Sequence, residues 1–313
     1  MKIVFMGTPD YAVNTLEALI AGGHEVAAVF AQPDKPVGRK HILTPPPVKV
    51  CAEKHNIPVF QPTTLRDGEA LGILREINPD VIVVVAYGKI LPEEILNLTK
   101  YGCVNGHASL LPKYRGASPI QWCIVCGEKV TGVSTMLMDK GMDTGDILLT
   151  CKVEIGNAET AEELFERLSV ISAELMVETL EKLEKGEITP IKQNDDEATY
   201  APIIKKEMAF IDFAAKTGEE ISNAVRGYYS WPCAYYFYEG KRIKVIKAKS
   251  GANTSKPAGT VIGNGDCLSI ACKDGTSVDI LVLQPEGSSQ MTAKQYFCGK
   301  AIEIGTVIGD NNG

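Results

Sequence analysis

The run Asn105-Gly106-His107-Ala108-Ser109-Leu110-Leu111-Pro112-Lys113-Tyr114-Arg115-Gly116-Ala117 concentrates side chains able to do chemistry. Asn105 and His107 are two residues apart, so on an extended segment both point to the same side. An amide beside an imidazole supplies two donors that can converge on one carbonyl oxygen, an arrangement suited to acyl transfer. A lone histidine is more often a satisfied, partly buried ring. Three features shift that balance here. The pair ends an expected strand, a loop containing Pro112 and Gly116 follows it, and a second loop, Met138 to Asp146, offers Asp139, Asp143 and Asp146 between glycines at the end of another strand.

The elements that must position these loops alternate. Strands are predicted at Lys2–Met6, Glu25–Phe30, Val59–Phe60, Asp80–Ala86, Cys103–Ala108 and Val133–Met138. Helices are predicted at Tyr11–Ala21, Val48–His55, Glu69–Glu76, Ile120–Val125 and Ala161–Lys185, the last opened by a Thr160/Glu163 capping pair. Repeated βαβ units imply an α/β fold with a doubly wound, mostly parallel sheet, which binds ligands at the carboxyl ends of its strands. The Gly7-Thr8-Pro9-Asp10 turn stands where a dinucleotide fold carries its glycine fingerprint. Pro9 and Tyr11 occupy positions that would need glycine or open space, so no NAD or FAD is expected. Gly186 to about Lys206 is polar and aperiodic. The expected division is therefore a catalytic domain over 1–189, a linker over 190–206 and a second domain over 207–313. In that second domain a helix near Thr217–Tyr229 precedes strands at Ala234–Tyr238, Arg242–Lys249, Gly259–Ile262, Cys267–Cys272 and Val278–Leu283, with a final helix at Thr292–Cys298. Short strands between Gly-rich turns point to a small OB-like β-barrel, closed or partly open.

The net charge of −7 is unevenly spread: residues 1–202 carry −9 and residues 203–313 carry +2. Lys241 to Lys256 holds six basic residues and no acid. A local patch is what attracts phosphate, because screening limits reach to about 8 Å at physiological salt; alone, it is more often a solvated strand face. No apolar run approaches the roughly 18–20 residues a spanning helix needs, and no signal-peptide pattern opens the chain. A cytoplasmic, monomeric protein without membrane contact is expected. The nine cysteines lack framework spacing and read as free thiols. Cys123-x-x-Cys126 has no second pair, so no metal is expected.

The segments N-x-H-x-S-L-L-P-x-x-R-G and M-D-x-G-x-D-T-G-D, in this order, resemble those of the folate-dependent formyltransferases. The resemblance runs over nearly the whole chain. The first twelve residues, the loop from Gln32 to Lys49 and the barrel-like C-terminus are similar to the member that formylates initiator methionyl-tRNA. It implies a Rossmann-like catalytic domain and a catalytic trio of Asn105, His107 and Asp143, with Asp139 and Asp146 shaping their loop. It implies 10-formyltetrahydrofolate as co-substrate, held near Ser109, Leu110, Leu111 and Pro112 with Ala86–Leu91 lining the pocket, and no metal. The Gln32–His41 loop is longer than the usual median of about 4–6 residues. By resemblance it reaches the tRNA acceptor end through Arg39, with Lys40 beside it, while Lys241, Arg242 and Lys244 meet the tRNA from the second domain. The rival readings are a formyltransferase acting on an amino sugar or purine precursor, a folate hydrolase, and a non-catalytic RNA-binding protein. Tyr114 and Trp122 are candidate base-stacking rings, although packing is the commoner role of both.

Overall fold

The computed structural model describes residues 1–38, 41–299 and 302–308. In chain order the elements are β1 (Lys2–Gly7), α1 (Asp10–Ala21), β2 (Glu25–Phe30), β3 (Lys35–Val37), β4 (Ile42–Thr44), α2 (Pro47–Lys54), β5 (Val59–Phe60), α3 (Glu69–Ile77), β6 (Val81–Val85) and α4 (Glu93–Leu96). Next come β7 (Cys103–His107), α5 (Pro119–Val125), β8 (Val130–Leu137), β9 (Ile147–Glu154) and α6 (Ala161–Lys185). The remainder is α7 (Gly218–Gly227), β10 (Tyr235–Tyr238), β11 (Lys241–Ser250), β12 (Val261–Asn264), β13 (Leu268–Ala271), β14 (Ser277–Pro285), β15 (Met291–Thr292) and α8 (Ala293–Gly299). Two compact units result. The first comprises Met1–Pro119, Val130–Glu154 and Phe165–Ala201; the second comprises Ile120–Lys129, Ile155–Leu164 and Pro202–Gly313.

The first unit is built on a seven-stranded sheet of order β5-β2-β1-β6-β7-β8-β9. The first five strands run parallel. A parallel interior strand is covered on both faces, and β6 reads Val-Ile-Val-Val-Val with every residue buried. Each such side chain contributes about 1.5–3 kcal/mol on burial. Alternate residues Val4, Met6, Ala28, Phe30, Ile82 and Val84 pack with Leu74 and Ile95 in one cluster, as a period of two requires. The sheet ends differently from a fully doubly wound one: β8 and β9 are antiparallel to their neighbours. The strand β9 has no counterpart in the sequence reading. Gln32–Pro47, expected as loop, contains the β3–β4 hairpin, in which Lys35 pairs Thr44, Pro36 pairs Leu43 and Val37 pairs Ile42.

The second unit carries an antiparallel sheet of order β10-β11-β14-β13-β12, with β15 paired to β14. The strand path is open: among the described residues no ladder joins β12 to β10. The strand order and curvature devices, with register shifts in β11 and β12, give the partly open, barrel-like sheet the Gly-punctuated strands predict. Its core includes Tyr236, Ile243, Val245, Leu268, Ile270, Ile280 and Leu283, supported by Ile221 and Val225 of α7. Helix α7 starts with a full capping box, Thr217 Oγ1 accepting the Glu220 N–H at 3.2 Å and Glu220 accepting the Thr217 N–H at 2.7 Å. The same device opens α6 through Thr160 and Glu163.

No helix among the described residues is long and apolar enough to cross a membrane.

Candidate active site

Strand β7 delivers the chemistry. Its alternation buries Val104 and Gly106 on one side and sets Asn105 and His107 together on the other. Asn105 lies between Val84 of β6 and Met136 of β8, and His107 lies opposite Ser134. The Asn105 side chain is half-buried and has no hydrogen-bond partner among the described residues. A half-buried amide with nothing to bond is a donor held ready for a ligand.

His107 is 7% exposed. Its Nε2 sits 2.9 Å from the Tyr114 carbonyl, which can only accept, so the proton is on Nε2. Nδ1 faces Asp143 Oδ2 at 3.7 Å, too far for a hydrogen bond but with the carboxylate directly beside the ring. The nitrogen free to react is therefore Nδ1, with a carboxylate beside it. Asp143 is fixed in turn: its Oδ2 accepts the Gly116 N–H at 2.8 Å, and its backbone has a φ of +54°. Gly116, at a φ of +117°, is the residue that lets this donor approach, since a Cβ there would lie 2.8 Å from the Ala201 carbonyl oxygen.

The loop carrying Asp143 is shaped from inside. Asp139 Oδ1 accepts the Gly141 N–H at 2.9 Å and the Thr144 hydroxyl at 2.6 Å. Leu137 N–H donates to the Asp146 carbonyl at 2.9 Å, and a Cβ on Gly145 would run into the Leu137 carbonyl. Asp139 thus holds loop shape, and Asp146 contributes through its backbone.

A second support comes from 190–201, the first part of the stretch expected to be a linker. Gln193, 7% exposed, donates from Nε2 to the carbonyls of Asp143 (2.8 Å) and Gly145 (2.7 Å). Its Oε1 accepts from Arg115 Nε (3.1 Å) and Nη2 (2.8 Å). Arg115, 2% exposed, completes its pairing on Asp195 at 2.8 Å. Backbone bonds run from Arg115 N–H to the Thr199 carbonyl and from Ala201 N–H to the Arg115 carbonyl. Gln193 and Arg115 therefore join the two loops, a role the sequence reading gave to neither. A polar, aperiodic segment carries no mark that separates a tether from a hydrogen-bonding clamp.

A cavity of 190 Å³ opens at the Asp143 loop, walled by Lys89, Ile90, Leu91, Met136, Met138, Asp139, Lys140, Gly141, Met142 and Asp143; Asn105 and His107 do not line it. Lys89, Ile90 and Leu91 come from the strand end named for this wall. Ser109, Leu110, Leu111 and Pro112 do not line it. Ser109 is buried, its hydroxyl donating to the Lys113 carbonyl at 2.6 Å, and Leu111 packs with Met136 and Ile147. The Ser109 and Leu111 side chains hold the loop down over β8, where Ser134 Oγ bridges the Ser109 carbonyl and the Leu111 N–H. Lys89 donates to the carbonyls of Pro62 and Thr63, each at 2.6 Å, and partial burial lowers its pKa.

Two family models match the chain: "Formyl transferase" over residues 1–180 and "Formyl transferase, C-terminal domain" over residues 203–301. The chain belongs to the formyl transferase family. Among its relatives, the methionyl-tRNA formyltransferase of Citrifermentans bemidjiense is 46% identical over 99% of this chain and 96% of its own length. That of Caldanaerobacter subterraneus subsp. tengcongensis is 48% identical over 98% of this chain and all of its own. An N-formyltransferase from Helicobacter canadensis, solved with folinic acid and dTDP-3-aminofucose, shares the fold with a TM-score of 0.68 at 21% identity, covering 90% of this chain and 98% of its own.

The basic residues named for this formyl transferase fall in different places. Arg39 and Lys40 lie outside the described residues. They follow β3, whose partner strand exposes Ile42 and Leu43 beside Val37. The stem below is pinned: Lys49 Nζ donates to both Asp34 oxygens (3.0 and 3.1 Å) and to Gln61 Oε1 (2.9 Å), and Gln61 Nε2 donates to Asp34 Oδ1 at 2.7 Å. The Gln61 amide and the Lys49 ammonium hold the Asp34 carboxyl below its ordinary pKa. In the second unit, Lys241 and Arg242 are exposed and Lys244 is half-buried on β11, between inward-facing Ile243 and Val245. The Arg242 guanidinium lies 5.7 Å from the Tyr235 ring centre, next to Phe237 and Phe210. Trp122 packs with Ile204, Ala209 and Tyr228 and donates to the Pro202 carbonyl at 2.8 Å, so its ring serves packing.

Proposed function

We propose that this formyl transferase moves the formyl group of 10-formyltetrahydrofolate to the α-amino group of methionine on initiator methionyl-tRNA. The observation that carries the reading is the meeting of His107 and Asp143 beside an uncommitted Asn105 amide at a strand end, in a chain 46–48% identical along its length to proteins named for that activity. The folate supplies the formyl group on its N10 and leaves as tetrahydrofolate. A cavity of 190 Å³ with Met136, Met138 and Leu91 on its wall and Asp143 at its edge suits a flat ring with polar edges. It is below the roughly 300–1,000 Å³ that encloses a whole drug-sized ligand, so the remainder of a folate would lie outside it.

Asn105 Nδ2 donates to the formyl oxygen as negative charge gathers there. Removing one such donor costs about 2.7–4 kcal/mol, or 10²–10³ in rate. His107 takes the proton of the attacking amine on Nδ1, while the Tyr114 carbonyl keeps the other ring proton on Nε2. Asp143 balances the ring's positive charge until the proton is passed to the departing amine. Gly116, Gln193 and Arg115 keep Asp143 at that nitrogen. The β3–β4 hairpin, with Arg39 and Lys40 between its strands, is the element assigned to the acceptor end of the tRNA, and Lys241, Arg242 and Lys244 to its backbone. The setting proposed is the cytoplasm, with the protein a monomer.

Transfer of labelled formyl to methionyl initiator tRNA tests the reading, with free methionine, uncharged tRNA and a nucleotide-linked amino sugar as controls. Labelled formylmethionyl-tRNA is expected from the first substrate alone. Equal or better labelling of the amino sugar would transfer the assignment to a small acceptor.

A further inference from the structure

On the face of the first unit formed by α1 and α2, three metal-ligating side chains of different chemistry converge. Cys51 and His55 are four residues apart on and just after α2, so both project from one face of that helix. Glu17 reaches them from α1. The Cys51 Sγ–H donates to Glu17 Oε1 at 3.2 Å, and His55 Nε2 lies 2.9 Å from Glu17 Oε2. One donor atom from each residue lies within 4.8 Å of the other two. A tetrahedral zinc ion with bonds of about 2.0–2.3 Å needs its ligand atoms about 3.4–3.6 Å apart. Cys51 and His55 meet different oxygens of Glu17, so one ion would take one donor atom from each residue, now within 4.8 Å of one another, and side-chain rotation would bring them to that spacing.

We propose that Glu17, Cys51 and His55 form a binding site for a zinc-class divalent transition metal, separate from the formyl-transfer centre. A thiolate, an imidazole and a carboxylate are the donor types zinc accepts, whereas magnesium and calcium call for oxygen donors. Three protein ligands leave a fourth position for water. The two outer ligands provide access, since the side chains of Glu17 and His55 are 48% and 35% exposed. Cys51 is buried at their base. Binding forms one metal–sulfur, one metal–nitrogen and one metal–oxygen bond, and the Cys51 thiol proton leaves to solvent, with no change in oxidation state. The pairing of His55 with Glu17 gathers these two ligands in advance. The ion would tie α2 to α1 immediately after the β3–β4 hairpin, where the Asp34–Lys49–Gln61 network holds the stem.

The test is titration of the full-length protein with Co²⁺, followed by competition of Zn²⁺ against a chromophoric chelator. Cys126 and Cys298 are the exposed thiols among the described residues, so both are replaced by serine in the parent protein. One equivalent of Co²⁺ with a thiolate-to-cobalt charge-transfer band is expected, abolished by Cys51→Ala. Zn²⁺ affinity should fall at least about 10-fold in His55→Ala and Glu17→Gln. Both of those residues are partly exposed, so these two variants test the site without emptying the core. Absence of the charge-transfer band, or Zn²⁺ affinity unchanged in both partly exposed variants, overturns the proposal.

Discussion

Gln193→Glu separates the two jobs of one buried amide. The native Oε1 accepts two bonds from Arg115, and the native Nε2 donates to the carbonyls of Asp143 and Gly145. A carboxylate retains the first pair and strengthens it, since it sets a full negative charge against the Arg115 guanidinium. It loses the second pair and sets negative oxygen against two carbonyls. Each buried acceptor deprived of its donor costs about 1–3 kcal/mol, so the loop side loses about 2–6 kcal/mol while the Arg115 side recovers part of it. The expected result is a protein that still folds with a displaced Asp143 loop. Misplacement of a catalytic group by about 1 Å costs up to about 10² in rate, so kcat should fall roughly 10- to 100-fold with little change in KM for the tRNA. Gln193→Leu, which abandons Arg115 as well, should cost more in thermal stability than Gln193→Glu. Steady-state kinetics beside thermal unfolding of both variants decides the matter. A folded Gln193→Glu protein with wild-type kcat would refute the clamp.

Asn105→Ala and His107→Ala should each lower turnover at least about 10²-fold, the first with the unfolding midpoint nearly unchanged and the second with a lower one, since it leaves the Tyr114 carbonyl without its donor; near-normal turnover of either purified variant removes that residue from the mechanism. Arg39→Ala should weaken use of methionyl-tRNA and leave folate affinity intact, measured by KM for the tRNA against fluorescence titration with folate; equal loss in both contradicts its assignment. Thr217→Ala, which deletes the α7 cap, should cost about 1 kcal/mol of stability. Its partner Glu220 is held below the usual carboxylate range by the Thr217 backbone N–H. That contribution is complete above the ordinary glutamate pKa and is lost as pH falls through the lowered folded value. In the Thr217→Ala protein Glu220 keeps that backbone donor, so the acid loss should be abolished instead by Glu220→Gln, as pH-dependent unfolding will show.

Much of the site was legible because its signals are local. Asn105 and His107 share a face by strand period alone, and Gly116 and Gly145 mark turns that admit close backbone approach. The caps at Thr160 and Thr217 were equally readable in principle, as each needs a partner only three residues away. What escaped depends on distant partners. Ile147–Glu154 becomes a strand because β8 offers it an edge, and its burial pattern does not alternate cleanly. The β3–β4 hairpin is exposed along both strands, so no apolar rhythm announces it, and Pro36 argues against a strand. Gln193 looks like any loop glutamine until Arg115, 78 residues earlier, is set against it. The Cys51/His55 spacing is visible on a helix, but Glu17 joins it only through helix packing. The motif at 109–112 shows a different limit: it indicates a loop of functional weight without revealing that Ser109 and Leu111 are buried.

The burial of Arg115 sets a rule for anyone dividing this protein. Its guanidinium has been taken out of water on the understanding that Gln193 and Asp195 will be there. A fragment stopped at residue 189 would strand a full positive charge in a dry hole and leave the Asp143 loop unmoored, and such a piece should precipitate or go molten. The last dozen residues before Pro202 therefore travel with the Asp143 loop, while Trp122, bonded to the Pro202 carbonyl, keeps a clean cut after Ala201 from being neutral.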